Sequence, residues 1–183
     1  MTREQLAHAL RCASRIADIR DVLVIGSQSI LGSYSENELP LEATGSTEVD
    51  IAFIDDPDDK SGLVDGAIGE FSDFHHEFGY YLQGVSVRTA VLPEGWRDRL
   101  VIYETPQTKP GRGLCLEPHD CILAKLVRFD EKDQNFAVAL VKAGLIDLDT
   151  LAERVETLPS HPANIERIQE WITAMKARKI QAK

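Results

Sequence analysis

Two acidic residues interrupt an otherwise apolar stretch of the chain. Glu48 and Asp50 lie in residues 47–54 (TEVDIAFI), whose composition is typical of a buried β-strand. Because side chains alternate across a strand, the two carboxylates share one face, with their Cα atoms about 6–7 Å apart. Carboxylates at this spacing repel each other when both are charged, and a hard divalent cation relieves the repulsion. The pair therefore predicts a Mg²⁺ site, which Mn²⁺ could also occupy.

A glycine-serine turn follows the apolar stretch that precedes the acids. Residues 21–26 (DVLVIG) are typical of a central β-strand that ends in Gly26, and Ser27 begins a segment predicted to be a short helix. Backbone N–H groups at the start of a helix lie at its positive end, where phosphate oxygens bind well. A phosphate-binding turn on one strand and an acid pair on the next are the two parts needed to place a nucleoside triphosphate (NTP).

The arrangement resembles the nucleotidyltransferase superfamily of the polymerase-beta type. Members of that superfamily have a strand, a Gly-Ser or Gly-Gly turn, a helix, and a second strand that carries acid–apolar–acid–apolar. The likeness covers about residues 1–95, and the matching residues are Gly26, Ser27, Glu48, Val49, Asp50 and Ile51. It implies that Glu48 and Asp50 bind metal and act in catalysis, and that the Gly-Ser turn binds the nucleotide.

Two features depart from the pattern of the superfamily. The gap between Ser27 and Glu48 is longer than usual, so residues 35–46 (SENELPLEATGS) would form an inserted loop. Many members also carry a third acid on a later strand, whereas residues 84–92 (GVSVRTAVL) contain Arg88 and no acid. This strand therefore lacks the acid that the usual two-metal arrangement of the superfamily requires.

Residues 117–140 combine charged side chains with a helical pattern. Lys125 lies among apolar residues, so its ammonium either extends to solvent or is aimed at a partner. The stretch resembles the bacterial AbiEii/MenT-type nucleotidyltransferase toxins, which carry a Lys-Leu lysine on one helix and an Arg/Lys-Asp pair, here Lys132 and Asp133, at the head of the next. The resemblance implies that Lys125 binds and neutralises the triphosphate and that Asp133 replaces the missing acid. It also makes Arg128 and Lys132 accessory nucleotide-binding cations.

Each of these residues also has a structural explanation that involves no ligand. Lys125 would then be an ordinary lysine on a helix surface, and Asp133 would be a first-turn acid that stabilises its helix through the dipole. Glu48 and Asp50 would lie on the solvent face of an edge strand. All three explanations remain open from the sequence.

Hydrophobic periodicity predicts the elements that must position these residues. A polar loop with Pro40 and Gly45 is predicted at residues 35–46. Strands are predicted at residues 21–26, 47–54, 84–93, 99–105 and 112–118, and helices at 2–18, 63–78, 118–128, 131–144, 147–157 and about 162–178.

This order of elements predicts an α/β (α+β) fold. A nucleotidyltransferase-like mixed sheet flanked by helices would occupy residues 1–115, and a C-terminal helical bundle would occupy residues 116–183.

Composition excludes several classes of protein. The 183 residues carry a formal net charge of -10, which disfavours general attraction to nucleic acid or anionic membrane. Three cysteines without zinc-site spacing argue against a disulfide framework or a zinc knuckle. The charged N-terminal stretch is unlike a signal peptide, and no apolar run approaches the ~20 residues that span a membrane. A cytoplasmic protein with no membrane partner is expected.

The expected function is Mg²⁺-dependent transfer of a nucleoside monophosphate from an NTP to an acceptor hydroxyl. By resemblance, the acceptor would be a tRNA 3′ end, and the chain would be the toxin of a toxin–antitoxin system with a cognate antitoxin protein. A protein hydroxyl is the other acceptor that the sequence leaves open. The alternative is a catalytically inactive nucleotidyltransferase-fold binding module, which the missing strand acid favours. A plain α/β scaffold with an acidic edge strand is the third hypothesis.

Overall fold

A mixed five-stranded sheet forms the centre of the computed structural model, which describes residues 1–56 and 58–181. Its strand order is β3-β2-β1-β5-β4. β1 runs antiparallel to β2 and parallel to β5, while β2 is parallel to β3 and β4 is antiparallel to β5. The strands are β1 (Asp21–Val24), β2 (Glu48–Ala52), β3 (Tyr81–Gly84), β4 (Val101–Tyr103) and β5 (Arg112–Cys115).

Helices pack around this sheet and then continue alone to the end of the described chain. The helices are α1 (Arg3–Ala17), α2 (Leu41–Thr44), α3 (Lys60–Ile68), α4 (Asp73–Phe78), α5 (Pro118–Arg128), α6 (Glu131–Lys142), α7 (Leu148–Val155) and α8 (Pro162–Gln181). Short 3₁₀ helices lie at Ser27–Gly32, Val87–Thr89 and Trp96–Arg99. The predicted α/β (α+β) class, with a mixed sheet and C-terminal helices, is confirmed.

The register of β1 and β2 brings the glycine-serine turn next to the acids. Leu23 pairs with Ala52 and Val24 pairs with Ile51. The ladder continues one residue beyond β1, because the Ile25 N–H donates to the Asp50 carbonyl at 3.0 Å. The turn that begins at the next residue therefore lies directly beside the acid-bearing half of β2.

Alternation along β2 follows the sequence pattern. Val49 and Ile51 are fully buried in the core, whereas Glu48 and Asp50 are only partly buried on the opposite face. Apolar side chains from the sheet and from α1 are buried against each other, and this burial stabilises the folded state. The expectation that both carboxylates share one face is confirmed by this burial pattern.

The third strand was predicted in the wrong place. β3 covers Tyr81–Gly84, and residues 85–93 form an irregular segment with a 3₁₀ turn, although they are rich in valine. α3 lies very close to the last residue of this strand, since a Cβ on Gly84 would be 1.9 Å from the Ser61 carbonyl oxygen. Ser86 then starts the turn, since its hydroxyl accepts from the Arg88 N–H at 3.3 Å.

Two other predicted elements differ in detail. The helix expected at 63–78 is two helices, α3 and α4, because the chain turns at Phe71 with φ +63° and Ser72 caps α4 by accepting from the His75 N–H at 3.1 Å. The predicted loop at 35–46 contains the single turn of α2. Among the described helices, none combines the length and the apolar composition needed to cross a bilayer.

Candidate active site

One cavity of about 340 Å³ brings together every site residue predicted from the sequence. It opens where the turn after β1 meets the first half of β2, and α5 and α6 form the facing wall. Val85, Thr89 and Ala90 from the segment after β3 line it as well. The predicted site residues in its lining are Gly26, Ser27, Glu48, Asp50, Lys125, Arg128, Lys132 and Asp133.

Gly26 allows the turn to lie against the acid pair. Its φ of +42° belongs to a region that favours glycine, and a Cβ at this position would lie 1.9 Å from the Asp50 Oδ2. No larger residue fits there unless the carboxylate moves away. The glycine of the predicted motif is thus required by contact with the second acid as well as by backbone conformation.

Burial and repulsion by Glu48 affect the protonation of Asp50. Burial, followed by the nearby Glu48 carboxylate, raises the pKa of Asp50 to about 6, although Lys125 and Arg128 act in the opposite direction. Asp50 therefore holds a proton more readily than an isolated carboxylate does when no cation neutralises its charge. This is the electrostatic conflict that the sequence pattern implied.

Tyr81 orients the first acid from the neighbouring strand. Its hydroxyl donates to the Glu48 Oε2 at 3.2 Å, and the two residues are paired across β2 and β3. Burial and the Glu48 carboxylate raise the pKa of Tyr81 to about 12, so the phenol stays protonated and can donate. Tyr81 was missed from the sequence because the strand was placed three residues too late, and correct pairing of β3 with β2 would have identified it.

Asp133 holds two cations at the opposite wall. Its carboxylate is 1% exposed, and it accepts from Lys125 Nζ at 2.9 Å through Oδ1. Its other oxygen, Oδ2, accepts from Arg128 Nε at 3.0 Å and Nη2 at 2.8 Å. The residue was expected to replace the third metal-binding acid. Because cations occupy both of its oxygens, the arrangement favours a role in positioning Lys125 and Arg128 over a role as a metal ligand.

The helix that carries Lys125 is anchored near its start. Asp120 is fully buried in the first turn of α5, where it accepts from Arg99 Nε at 2.9 Å and from Arg154 Nη1 at 2.9 Å. Glu117, the N-cap of α5, also pairs with Arg154. These partners come from distant parts of the chain, so no local sequence signal identified them. The network joins α5 to α7 and to the Trp96–Arg99 turn.

The corner between α5 and α6 is held from the last helix. Phe129 ends α5 in a left-handed conformation with φ +64°. Arg167 in α8 donates to the Val127 carbonyl at 2.9 Å, and its guanidinium carbon lies 4.4 Å from the centre of the Phe129 ring. The corner is therefore fixed immediately beside Arg128 and the first turn of α6.

The described acids fit a metal that takes part of its coordination from the substrate. Within residues 1–56 and 58–181, no group of three or more His, Cys, Asp and Glu side chains is arranged to hold a metal ion. Glu48 and Asp50 provide a pair of hard oxygen donors in the cavity. Mg²⁺ is commonly held by one or two carboxylates together with substrate phosphates, so the pair suits a Mg²⁺–NTP complex.

Comparison with known families agrees with this geometry. A family model described as "Nucleotidyltransferase of unknown function (DUF6036)" matches residues 4–179, a range that includes every cavity residue named above. No curated protein and no solved structure gives a significant match. The broad resemblance to nucleotidyltransferases is confirmed, while the family description carries no toxin subtype. The chain belongs to the family of nucleotidyltransferases of unknown function designated DUF6036.

Proposed function

We propose that this protein transfers a nucleoside monophosphate from an NTP to an acceptor hydroxyl in a Mg²⁺-dependent reaction. One observation carries the proposal: the acid pair, the glycine-serine turn and the Lys125–Arg128–Asp133 cluster line the same cavity. Family membership supports the general class of reaction. The residue roles below are part of the proposal.

Each group of residues has a distinct task. Glu48 and Asp50 would hold Mg²⁺, with Mn²⁺ as a substitute, and Tyr81 keeps the Glu48 carboxylate in place through its hydrogen bond. Gly26 and Ser27 bind phosphate oxygens through the turn. When bound, the metal ion supplies neutralisation of phosphate charge and polarisation of the α-phosphate.

The cations of α5 and α6 act on the triphosphate. Lys125 presents a compact ammonium, which suits a polyphosphate, and Asp133 holds it within the cavity wall. Arg128 and Lys132 add positive charge at the same wall. The acceptor oxygen bonds to the α-phosphorus as the α–β phosphoanhydride bond breaks, so pyrophosphate leaves and the hydroxyl proton passes to solvent.

For the acceptor, we propose a tRNA 3′ end, with the protein acting as a bacterial toxin whose cognate antitoxin blocks it. The sequence resemblance of Lys125 and of the Lys132–Asp133 pair supports this choice. The net charge of -10 argues against broad contact with the RNA backbone. Recognition would therefore concentrate on the end of the molecule that enters the cavity.

A second candidate function is that of a nucleotide-binding module without catalysis. The observation that favours it is the register of β3, which places Tyr81 opposite Glu48 and Gln83 opposite Asp50. Neither partner is an acid, so the strand beside the pair contributes no third carboxylate. This candidate shares the binding roles proposed above and differs only in the absence of transfer.

The site draws on both halves of the chain. The last strand of the sheet ends at Cys115, and the described elements after it are helices. We therefore retain residues 1–115 as a proposed nucleotidyltransferase-like domain and 116–183 as a proposed helical region, whose residues 182 and 183 lie outside the described part. The helical region supplies the cations, and the first domain supplies the acids and the turn.

The test is transfer of label from each α-³²P-labelled NTP to bulk tRNA, with and without Mg²⁺. Wild-type protein should release pyrophosphate and label the RNA only with the metal present. Glu48→Ala and Asp50→Ala should abolish both signals, because each removes a proposed metal ligand. If the protein binds Mg²⁺–NTP without transferring the label, it is the binding module. If it does not bind Mg²⁺–NTP, both proposals are excluded.

A further inference from the structure

The Gly26 carbonyl oxygen accepts hydrogen bonds from three donors. Ser29 donates to it twice, through its backbone N–H at 3.3 Å and its hydroxyl at 2.9 Å. The Cys121 thiol approaches from α5, with Sγ 3.2 Å from the same oxygen. The Cys121 thiol lies 95 positions along the chain from Gly26, so the two side-chain donors come from distant elements and meet at one peptide group.

Both donors lie where water does not compete with them. Ser29 is fully buried and Cys121 is 1% exposed. Burial raises the pKa of the Cys121 thiol, so the sulfur keeps its proton and can donate. Hydrogen bonds in such surroundings hold a direction more firmly than exposed ones, because the partners have no solvent alternative.

These contacts determine how the next residue presents its backbone. The Gly26 carbonyl and the Ser27 N–H belong to one planar peptide unit and point in opposite directions when the unit is trans. Holding the carbonyl toward Ser29 and Cys121 therefore fixes the direction of the Ser27 N–H. Ser27 lines the cavity, and in the described part of the chain its N–H has no backbone acceptor.

The opposite side of the same turn packs against Asp50. The Asp50 carboxylate lies against the Gly26 Cα, at the place where a Cβ would be. On α5, Cys121 and Lys125 are four residues apart, so they share one face of the helix. The thiol thus aligns the phosphate-binding turn with the ammonium on the opposite wall.

We propose that Ser29 and Cys121 are positioning residues, which orient the Gly26–Ser27 peptide so that the turn can bind the triphosphate. This inference rests on the proposed function. Neither residue belongs to the glycine-serine motif itself, and each acts through the Gly26 carbonyl.

The closing experiment compares near-isosteric variants. Cys121→Ala removes the thiol donor, whereas Cys121→Ser keeps a donor at almost the same place. Ser29→Ala removes the hydroxyl and leaves the backbone N–H. Cys12→Ser, on α1 and outside the cavity lining, is the matched control for a thiol change. The two measurements are the ¹³C chemical shift of the Gly26 carbonyl and the Kd of a non-hydrolysable ATP analogue with Mg²⁺.

We expect Cys121→Ala and Ser29→Ala each to weaken binding of the analogue about threefold, and the double variant about tenfold or more, because each loss removes one buried hydrogen bond. The carbonyl shift should move upfield in the same order. Cys121→Ser should restore both values to near wild type, and Cys12→Ser should change neither. In steady-state assays the loss should appear in the KM for NTP before it appears in kcat.

The outcomes separate the two proposals. If wild-type protein binds no Mg²⁺–nucleotide, the proposed function fails, and the inference falls with it. If wild type binds and Cys121→Ala and Ser29→Ala bind equally well, the positioning role is overturned while the proposed function stands. Should the double variant not fold, the comparison of Cys121→Ala with Cys121→Ser decides the matter alone, since these differ by one donor.

Discussion

The Asp50 carboxylate occupies the space beside the Gly26 Cα, so that a Cβ on Gly26 would lie 1.9 Å from Oδ2. The turn proposed to bind phosphate and the acid proposed to bind metal are therefore packed directly against each other. A side chain added at Gly26 must displace the Asp50 carboxylate, and the predictions below begin with this pair.

Gly26→Ala should lower the free energy of unfolding by about 2–4 kcal/mol, since it adds a steric conflict to backbone strain. Nucleotide binding should be lost with it. Gly79→Ala is the control, because Gly79 has φ +73° with nothing within 4 Å of the added Cβ. That variant should lose only about 1 kcal/mol in urea unfolding. Equal losses for the two variants would contradict the close contact with Asp50.

The contribution of Asp50 to the free energy of unfolding of the metal-free protein should fall as pH rises from about 4 to about 6. Folding raises the Asp50 pKa from 3.8 to about 6, so the native state binds more protons than the unfolded state in this window. The contribution of Asp50 is fully present below the lower pKa and is lost above the higher one. We expect a difference of about 2 kcal/mol between wild type and Asp50→Asn across the window. Glu48→Gln should narrow the pH range over which stability falls, because it removes one cause of the raised Asp50 pKa.

Mg²⁺ should raise the Tm of wild type at pH 7.5 and leave the Tm of Asp50→Asn unchanged. Because Asp50 must lose its proton to bind a cation, binding at pH 6 should release more protons than binding at pH 8. Calorimetry in two buffers of different ionisation enthalpy measures that release. If Mg²⁺ shifts the Tm of Asp50→Asn by the same amount, the ion does not bind at the acid pair.

Asp133→Asn should weaken binding of Mg²⁺–NTP about tenfold, because the charge-assisted bonds that hold Lys125 and Arg128 are lost. Asp130→Asn is a matched control, since Asp130 is exposed and 3.8 Å from the same guanidinium. It should change affinity by less than about twofold. Tighter binding by Asp133→Asn would show instead that Asp133 competes with phosphate for the two cations.

Asp120→Asn should destabilise the fold by about 3 kcal/mol, because it removes the buried negative charge that Arg99 and Arg154 share. Asp149→Asn breaks the exposed pair with Lys176 and should change stability by less than about 0.5 kcal/mol. Urea unfolding of the two variants gives the comparison. A small effect at Asp120 would mean that α5 is held mainly by its apolar face.

Local patterns in the sequence were sufficient to place the acids. Alternation within β2 put Glu48 and Asp50 on one face, and the glycine-serine step marked the turn beside them. These are signals that a few adjacent residues carry by themselves. The helices after Pro118 were also predicted within a few residues, because their apolar spacing is regular.

Contacts between distant segments were beyond such patterns. The valine-rich run after Gly84 has a higher strand propensity than Tyr81–Gly84, yet pairing with β2 selected the latter. Tyr81 was missed for that reason. Cys121 resembled an ordinary buried cysteine, since its bond to Gly26 depends on how α5 packs against the turn. The engagement of both Asp133 oxygens likewise became visible only in three dimensions.

Arg167 supports the end of α5 from a helix that begins at Pro162 and supplies none of the described lining residues of the cavity. A protein shortened before that helix would keep every nucleotide-contacting side chain proposed above and still lose the brace under Val127 and Phe129. Slower turnover by such a truncated form would therefore be explained by displacement of the cations on α5. It would not show that α8 itself takes part in the reaction.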